Sequence, residues 1–419
     1  MLKTFYKTFF QKFLVHELSW YLFGQLLVQI SSFVSAIIVS RYLGPTNLGL
    51  FSFSQNFVSV TLSIFAGADF YLIWKIATTK DFRKELQNAF AYKIRLHIVL
   101  AIVGIIASLL FLPKDVAILC VILFLPSLLQ SFSIFTSYAL SRNYAKQTGI
   151  IQAVLAIIFL LFKVAGVYLE LPLIYFVIVA AFDVTMFGLV MYLYCSSQDI
   201  ITKNFFKGLP SVDVREMIRF LIAISVTIVS IFFWGLLLRI DQFLLAIFTD
   251  AHTLGLYVSA VKVAEMPNII AGVITSALTS RIALLPSTEK KELQRKVGTL
   301  LFSQGAFGFL IMLPLVVFAT PIINTIYGEA FSGSDTMLRL YALTIPFMFI
   351  NYVFHSMYGS FSLLKFQAIN YSVAVVINLV FGTIGYMTFG VEGVILATVF
   401  AYFCCAIFGF LYFKKNIFV

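Results

Sequence analysis

The sequence predicts an all-α polytopic membrane protein of about twelve transmembrane helices. Three observations lead there. The chain is 61% hydrophobic and 11% charged, with a mean hydropathy of +1.00, too little polar surface to cover a soluble core. Apolar runs of about 20 residues, the length a helix needs to cross a bilayer, recur along all 419 residues. They are apolar on every side, as in IVLAIVGIIASLLFL (98–112), and lack the two-residue alternation of a membrane β-barrel. Finally, SRYLGPTNLGLFSF at 40–53 returns as AIFTDAHTLGLYVS at 246–259. Aligned at Gly49 and Gly255 the copies are 206 residues apart, almost half the chain, which points to two similar halves.

The expected spans run, in order, over 18–41, 47–76, 89–112, 116–140, 147–169 and 172–196, then 217–248, 253–285, 296–321, 335–361, 366–388 and 391–413. The first is a helix and not a cleaved leader, because it continues to Val39 without a small-x-small cleavage site. The longest polar stretch, SQDIITKNFFKGLPSVDVRE, carries Gly208 and Pro210 and falls between spans six and seven. The expected division is therefore an N-terminal six-helix bundle over 1–197, a cytoplasmic linker over 198–216 and a C-terminal six-helix bundle over 217–419.

Charge sets the expected orientation. With the N-terminus inside, 22 of the 29 Lys and Arg lie on the inner side and one, Lys114, on the outer. Both ends are then cytoplasmic, and the number of spans is even. The net charge of +11 follows from this asymmetry and from anionic headgroups, without a nucleic acid partner. Cys120, Cys195, Cys404 and Cys405 all lie in apolar runs and read as small buried hydrophobes.

Ionisable groups inside spans are the candidates for function, because the bilayer penalises them. They are Asp69 and Lys75 in span two, Lys163 in five, Asp183 in six, Arg239 and Asp241 in seven, and Lys262 and Glu265 in eight. Lys262 and Glu265 are three apart and share a helix face near the midplane, just before Pro267. They read either as a self-neutralising pair or as groups facing a cavity. Arg239 and Asp241 are two apart and point to different faces, so each needs another partner. Lys163 and Asp183, in consecutive spans, read as a mutual pair or as cavity groups. Arg41 and Lys75 have an anchoring alternative, snorkelling to the interface. Arg95 and His97 read as groups at the cytoplasmic mouth or as snorkelling side chains, and His355 as a satisfied core histidine.

No G-x-x-x-x-G-K-[ST] motif, Asp-x-Asp pair, His/Cys ligand spacing or long outer loop is present. The expectation is a protein that is not an enzyme, with no catalytic residue, metal or cofactor.

SRYLGPTNLGLFSFSQNF (40–57) resembles the span-one-to-two signature of polysaccharide flippases, through Arg41, Leu43, Gly44, Pro45, Gly49 and Phe51. RIDQFLLAIFTDAHTLGLYVSAVKVAEMP (239–267) is similar to the corresponding second-half segment, through Arg239, Asp241, Gln242, Gly255, Tyr257, Ala260 and Pro267. These are the Wzx-like O-antigen and capsule transporters of the multidrug/oligosaccharidyl-lipid/polysaccharide exporter superfamily.

The resemblance implies two six-helix bundles related by a pseudo-twofold axis along the membrane normal. It implies a polyprenyl-diphosphate-linked oligosaccharide as cargo, moved to the outer leaflet of a bacterial inner membrane by alternating access coupled to an ion gradient. Membrane lipids, and other polysaccharide assembly proteins, are the expected partners. Arg239, Lys262, Arg41 and Lys163 are the expected substrate-binding residues. Glu265, Asp69, Asp241 and Asp183 are the candidates for ion coupling. Two alternatives stand beside this reading. One is a multidrug or small-cation exporter of the same superfamily; the other is a membrane-embedded glycan polymerase.

Overall fold

The computed structural model describes residues 2–64, 82–142, 144–198, 205–208, 214–282 and 290–416, and they are helical almost throughout. Asp69 and Lys75 lie outside the described residues.

The first helix, α1 (Leu2–Leu62), is two limbs joined at Gly44, whose φ of 71° and ψ of 174° interrupt the helical backbone. Only glycine adopts that φ without strain, and Pro45, pre-set for a helix start, opens the second limb. Then follow α2 (Phe82–Phe111), α3 (Lys114–Ser127), α4 (Ser133–Ser141), α5 (Ala145–Tyr168) and α6 (Leu173–Ser197). The helices α3 and α4 form one expected span, broken after Pro126 by a 3₁₀ stretch at Leu128–Phe132. The second half begins with α7 (Val214–Leu237), α8 (Ile240–Phe248), α9 (Ala251–Glu265) and α10 (Asn268–Ile282). It continues with α11 (Lys290–Val317), α12 (Ala319–Ile326), α13 (Ser334–Ala342), α14 (Ile345–Ser360), α15 (Leu364–Phe389) and α16 (Val391–Asn416).

Over the described residues, each expected span falls on one helix or on helices joined by a short break. Among the described residues nine helices are long and apolar enough to cross a membrane, and α13 with α14, bent by 50°, makes a tenth. Span seven divides at Leu238–Arg239 and span eight at Met266–Pro267. Outward-facing apolar side chains such as Phe111 (82% exposed), Phe302 (78%) and Met387 (76%) need lipid around them, not water.

The chain forms two compact units. Unit 1 holds residues 1–42 and 57–228, and its core gathers Phe90, Phe135, Tyr138, Met191 and Cys195. Part of the expected linker belongs to that core: Phe205 is buried against Phe90 and Phe135, and its carbonyl accepts from Gln87 at 2.9 Å. Unit 2 holds residues 43–56 and 229–419, so the segment after the Gly44 break packs with the second half of the chain. Its core centres on Leu48, Tyr257, Tyr341 and Phe349, with a second cluster around Tyr358, Tyr371, Tyr402 and Phe413.

Candidate functional site

In unit 2 the sequence places charges where the helices break. Leu238 and Arg239 leave the α-helical path between α7 and α8, with Arg239 at φ −136° and ψ −2°. Glu265 is the last residue of α9, one residue before the Met266–Pro267 break. Arg239 Nη1 donates to both carboxylate oxygens of Glu265, each at 3.0 Å, and to the carbonyl of Leu238. The Tyr341 hydroxyl donates to Glu265 Oε1 at 3.1 Å. Among the described residues, Arg239 Nη2 and Nε make no hydrogen bond.

Each charge of this pair sits at a helix break, where two opposing helix ends meet. Arg239 lies between the negative C-terminal end of α7 and the positive N-terminal end of α8, and Glu265 between the C-terminal end of α9 and the N-terminal end of α10, so the dipoles largely offset and the ion pair itself supplies the neutralisation. Each therefore depends on the other. The side chains remain 29% and 17% exposed, so the pair is not sealed away. A guanidinium with unused donors at a helix N-terminus suits a second anion, and the carboxylate of Glu265 already occupies part of that position.

Asp241 turns the other way, as its two-residue spacing from Arg239 requires. It is 1% exposed, accepts from the Tyr257 hydroxyl at 2.5 Å and from the backbone N–H of Gln242 at 2.7 Å. Gln242 in turn accepts from Asn56 Nδ2 at 2.5 Å. Lys262 lies one turn before Glu265 on α9, half-buried.

The remaining candidates are in unit 1. Lys163 and Asp183 form an ion pair at 2.6 Å, and both line a cavity of about 260 Å³. Arg41 is exposed at the end of the first limb of α1. His97 is fully buried and so does not snorkel, with Nδ1 2.8 Å from the Ser131 hydroxyl, because the 3₁₀ stretch brings Ser131 to it. His355 is satisfied by the Tyr371 hydroxyl at 3.0 Å and Gln367 at 3.1 Å. Among the described residues no group of three or more His, Cys, Asp or Glu could hold a metal.

Reading charges alone misses Tyr257, Tyr341 and the polar wall around Lys163. The tyrosines are neutral and give no signal in a scan for ionisable groups. Ser31, Ser32 and Ser35 do leave one: three hydroxyls within five residues of an apolar run.

Residues 14–283 match the family described as polysaccharide biosynthesis protein. No curated protein was matched. Among solved structures, the lipid II flippase MurJ in an inward closed conformation is similar with a TM-score of 0.70 at 14% identity, covering 94% of this chain and 87% of that one. An inward-facing multidrug resistance MATE transporter of the MOP superfamily gives 0.68 at 14%, covering 95% and 98%. A mutant of the Vibrio cholerae MATE transporter VcmN gives 0.65 at 14%, covering 97% and 98%. At these identities the likeness is one of fold.

Proposed function

The chain belongs to the polysaccharide biosynthesis protein family, and on that premise we propose that it is a flippase for a polyprenyl-diphosphate-linked oligosaccharide. The cargo is a repeat unit of O-antigen or a related surface polysaccharide, moved from the inner to the outer leaflet of a bacterial inner membrane. The protein performs no chemistry on it, and both termini are cytoplasmic. Along the chain the N-terminal bundle is 1–197, the linker 198–216 and the C-terminal bundle 217–419; by packing, 43–56 group with the second half and 198–228 with the first.

The observation that carries this reading is the Arg239–Glu265 pair. An always-charged guanidinium at the N-terminal end of α8, in a largely apolar unit, keeps Nη2 and Nε without a hydrogen bond among the described residues. A diphosphate or acidic sugar can take those donors and compete with Glu265 for Nη1. Lys262, one turn from Glu265 on the same helix, adds a second cation, and Arg41, in unit 1, is a separate candidate for the cargo's anionic groups. Displacing Glu265 frees a carboxylate at membrane depth. Glu265, displaced in this way, is the leading coupling candidate, linking anion arrival to an ion gradient. Asp241, and Asp69, are further coupling candidates. Polysaccharide assembly proteins are the partners that this cargo implies.

The test is replacement of Arg239 by Gln in a strain depending on this chain for its surface polysaccharide. At normal membrane levels of the protein, surface glycan should be lost and inward-facing lipid-linked repeat units should accumulate. Arg239→Lys, which keeps the charge but not the fork, should restore part of the output. Unchanged glycan with Arg239→Gln would overturn the assignment.

A further inference from the structure

The cavity in unit 1 has a lining that two helices packing against each other do not need. It lies among α1, α5 and α6, and Ser31, Ser32, Ser35, Gln152, Lys163 and Asp183 face it. At about 260 Å³ it is many times the volume of one water; its polar side faces an apolar one formed by Val28, Leu155, Leu160 and Phe187, and water collects at such a polar side. Lys163 Nζ stands 2.6 Å from Asp183 Oδ2 within it, the two side chains 15% and 29% exposed. Ser35 Oγ donates to the Ser32 carbonyl at 3.0 Å, leaving its lone pairs available. Gln152 Oε1 is buried and makes no hydrogen bond among the described residues.

The oxygens assembled here are one carboxylate, one carboxamide oxygen and three hydroxyls. Hard cations select that kind of donor set. An ammonium sits on the carboxylate, where a free cation would sit. An ion pair that served only to hold α5 to α6 would close the space around it. This one lines an open cavity beside an unpartnered acceptor.

We propose that the cavity is a monovalent-cation site whose occupant is the chain's own ammonium: Lys163 is a tethered counter-cation for Asp183, and removing it uncovers a site for a free alkali cation. The tether fixes the charge of this cavity. Its contents do not change with the sodium concentration on either side of the membrane, so Asp183 is not a point at which a sodium gradient acts. This follows from the cavity in unit 1 alone and stands whatever cargo the protein carries.

The experiment compares melting of the purified full-length protein in sodium chloride and in choline chloride at equal ionic strength. Lys163→Met should gain a sodium response, a rise of about 2–4 °C over that of the unaltered protein. The added response should vanish in Lys163→Met/Asp183→Asn. Lys163→Gln serves the same purpose if the Met variant does not fold, since its amide keeps a polar group in the cavity. A response no larger than that of the unaltered protein, or one that survives loss of the Asp183 charge, would overturn the proposal. Because melting reads binding and not transport, failure here is separable from failure of the flippase assignment.

Discussion

Gly49 and Gly255, equivalent positions in the two copies of the internal repeat, pack backbone against backbone. A Cβ on Gly49 would collide with the carbonyl oxygen of Ala251 and come within 3.0 Å of Gly255 N. A Cβ on Gly255 would collide with the carbonyl oxygen of Pro45. Positions 45 and 251, like 49 and 255, are related by the 206-residue shift, so the two collisions are the same contact seen from either copy. Close approach of small residues is what holds helices together where lipid removes the hydrophobic drive. The glycines of the motif are thus packing residues. Gly49→Ala or Gly255→Ala should destabilise the protein by about 1–3 kcal/mol through overpacking, lowering the melting temperature in detergent. An unchanged melting temperature for both would refute the contact.

The Arg239–Glu265 pair should behave as one unit. Removing one partner leaves the other charge without its counter-ion at a helix break. The loss is roughly 3–5 kcal/mol for a fully buried pair and smaller here, where the side chains are 29% and 17% exposed. Removing both should be milder than the sum of the single losses. A double-mutant cycle with Arg239→Gln and Glu265→Gln, read by thermal melting, should show coupling between them. Glycan export should stay absent in the double variant although its stability recovers, because the donors for the anion are gone.

The spans and the repeat are legible in the sequence because they depend on hydropathy and on spacing along the chain. The partners are not. Lys262 and Glu265 share a helix face by their spacing, yet Glu265 is held by Arg239, 26 residues away, and by Tyr341, 76 residues away. Those bonds exist because α7–α8 and α9–α10 break at Leu238–Arg239 and Met266–Pro267. Pro267 signals the second break; nothing local signals the first. The place of residues 43–56 in unit 2 is likewise set by a tertiary contact, the meeting of Gly49 with Gly255. Position along the helix does not foretell the burial of His97, which the 3₁₀ stretch after Pro126 produces by bringing Ser131 to it inside the unit.

Asp250 ties the second copy of the repeat to pH. It is the N-cap of α9, accepting from the Thr253 backbone N–H at 2.8 Å, and that bonding to Thr253 holds its carboxyl below the usual range. A depressed folded-state value stabilises the protein above the unfolded value near 4 and is lost as pH falls through the folded value. Asp250→Asn keeps a capping oxygen without a charge and should remove this part of the acid sensitivity. Melting temperatures between pH 3 and 6 check it: the two curves should converge at the acid end. Parallel curves would show that the cap is not protonation-dependent.

Asp241 is the most completely buried of the candidate intramembrane charges with described surroundings, at 1% exposed, and its hydrogen bonds come from two neutral donors. The Tyr257 hydroxyl and the Gln242 N–H are its hydrogen-bond donors. Tyr257→Phe removes the first while keeping the ring against Tyr341. The carboxylate then has an oxygen without a donor in an apolar core, at a loss of about 1–3 kcal/mol. Asp241→Asn should weaken the unaltered protein. In the Tyr257→Phe background it should weaken the protein less or even strengthen it, because there it removes a charge that has lost its donor. Thermal melting of the two single variants and the double variant decides. Equal effects of Asp241→Asn on both backgrounds would mean that Tyr257 does not support the carboxylate.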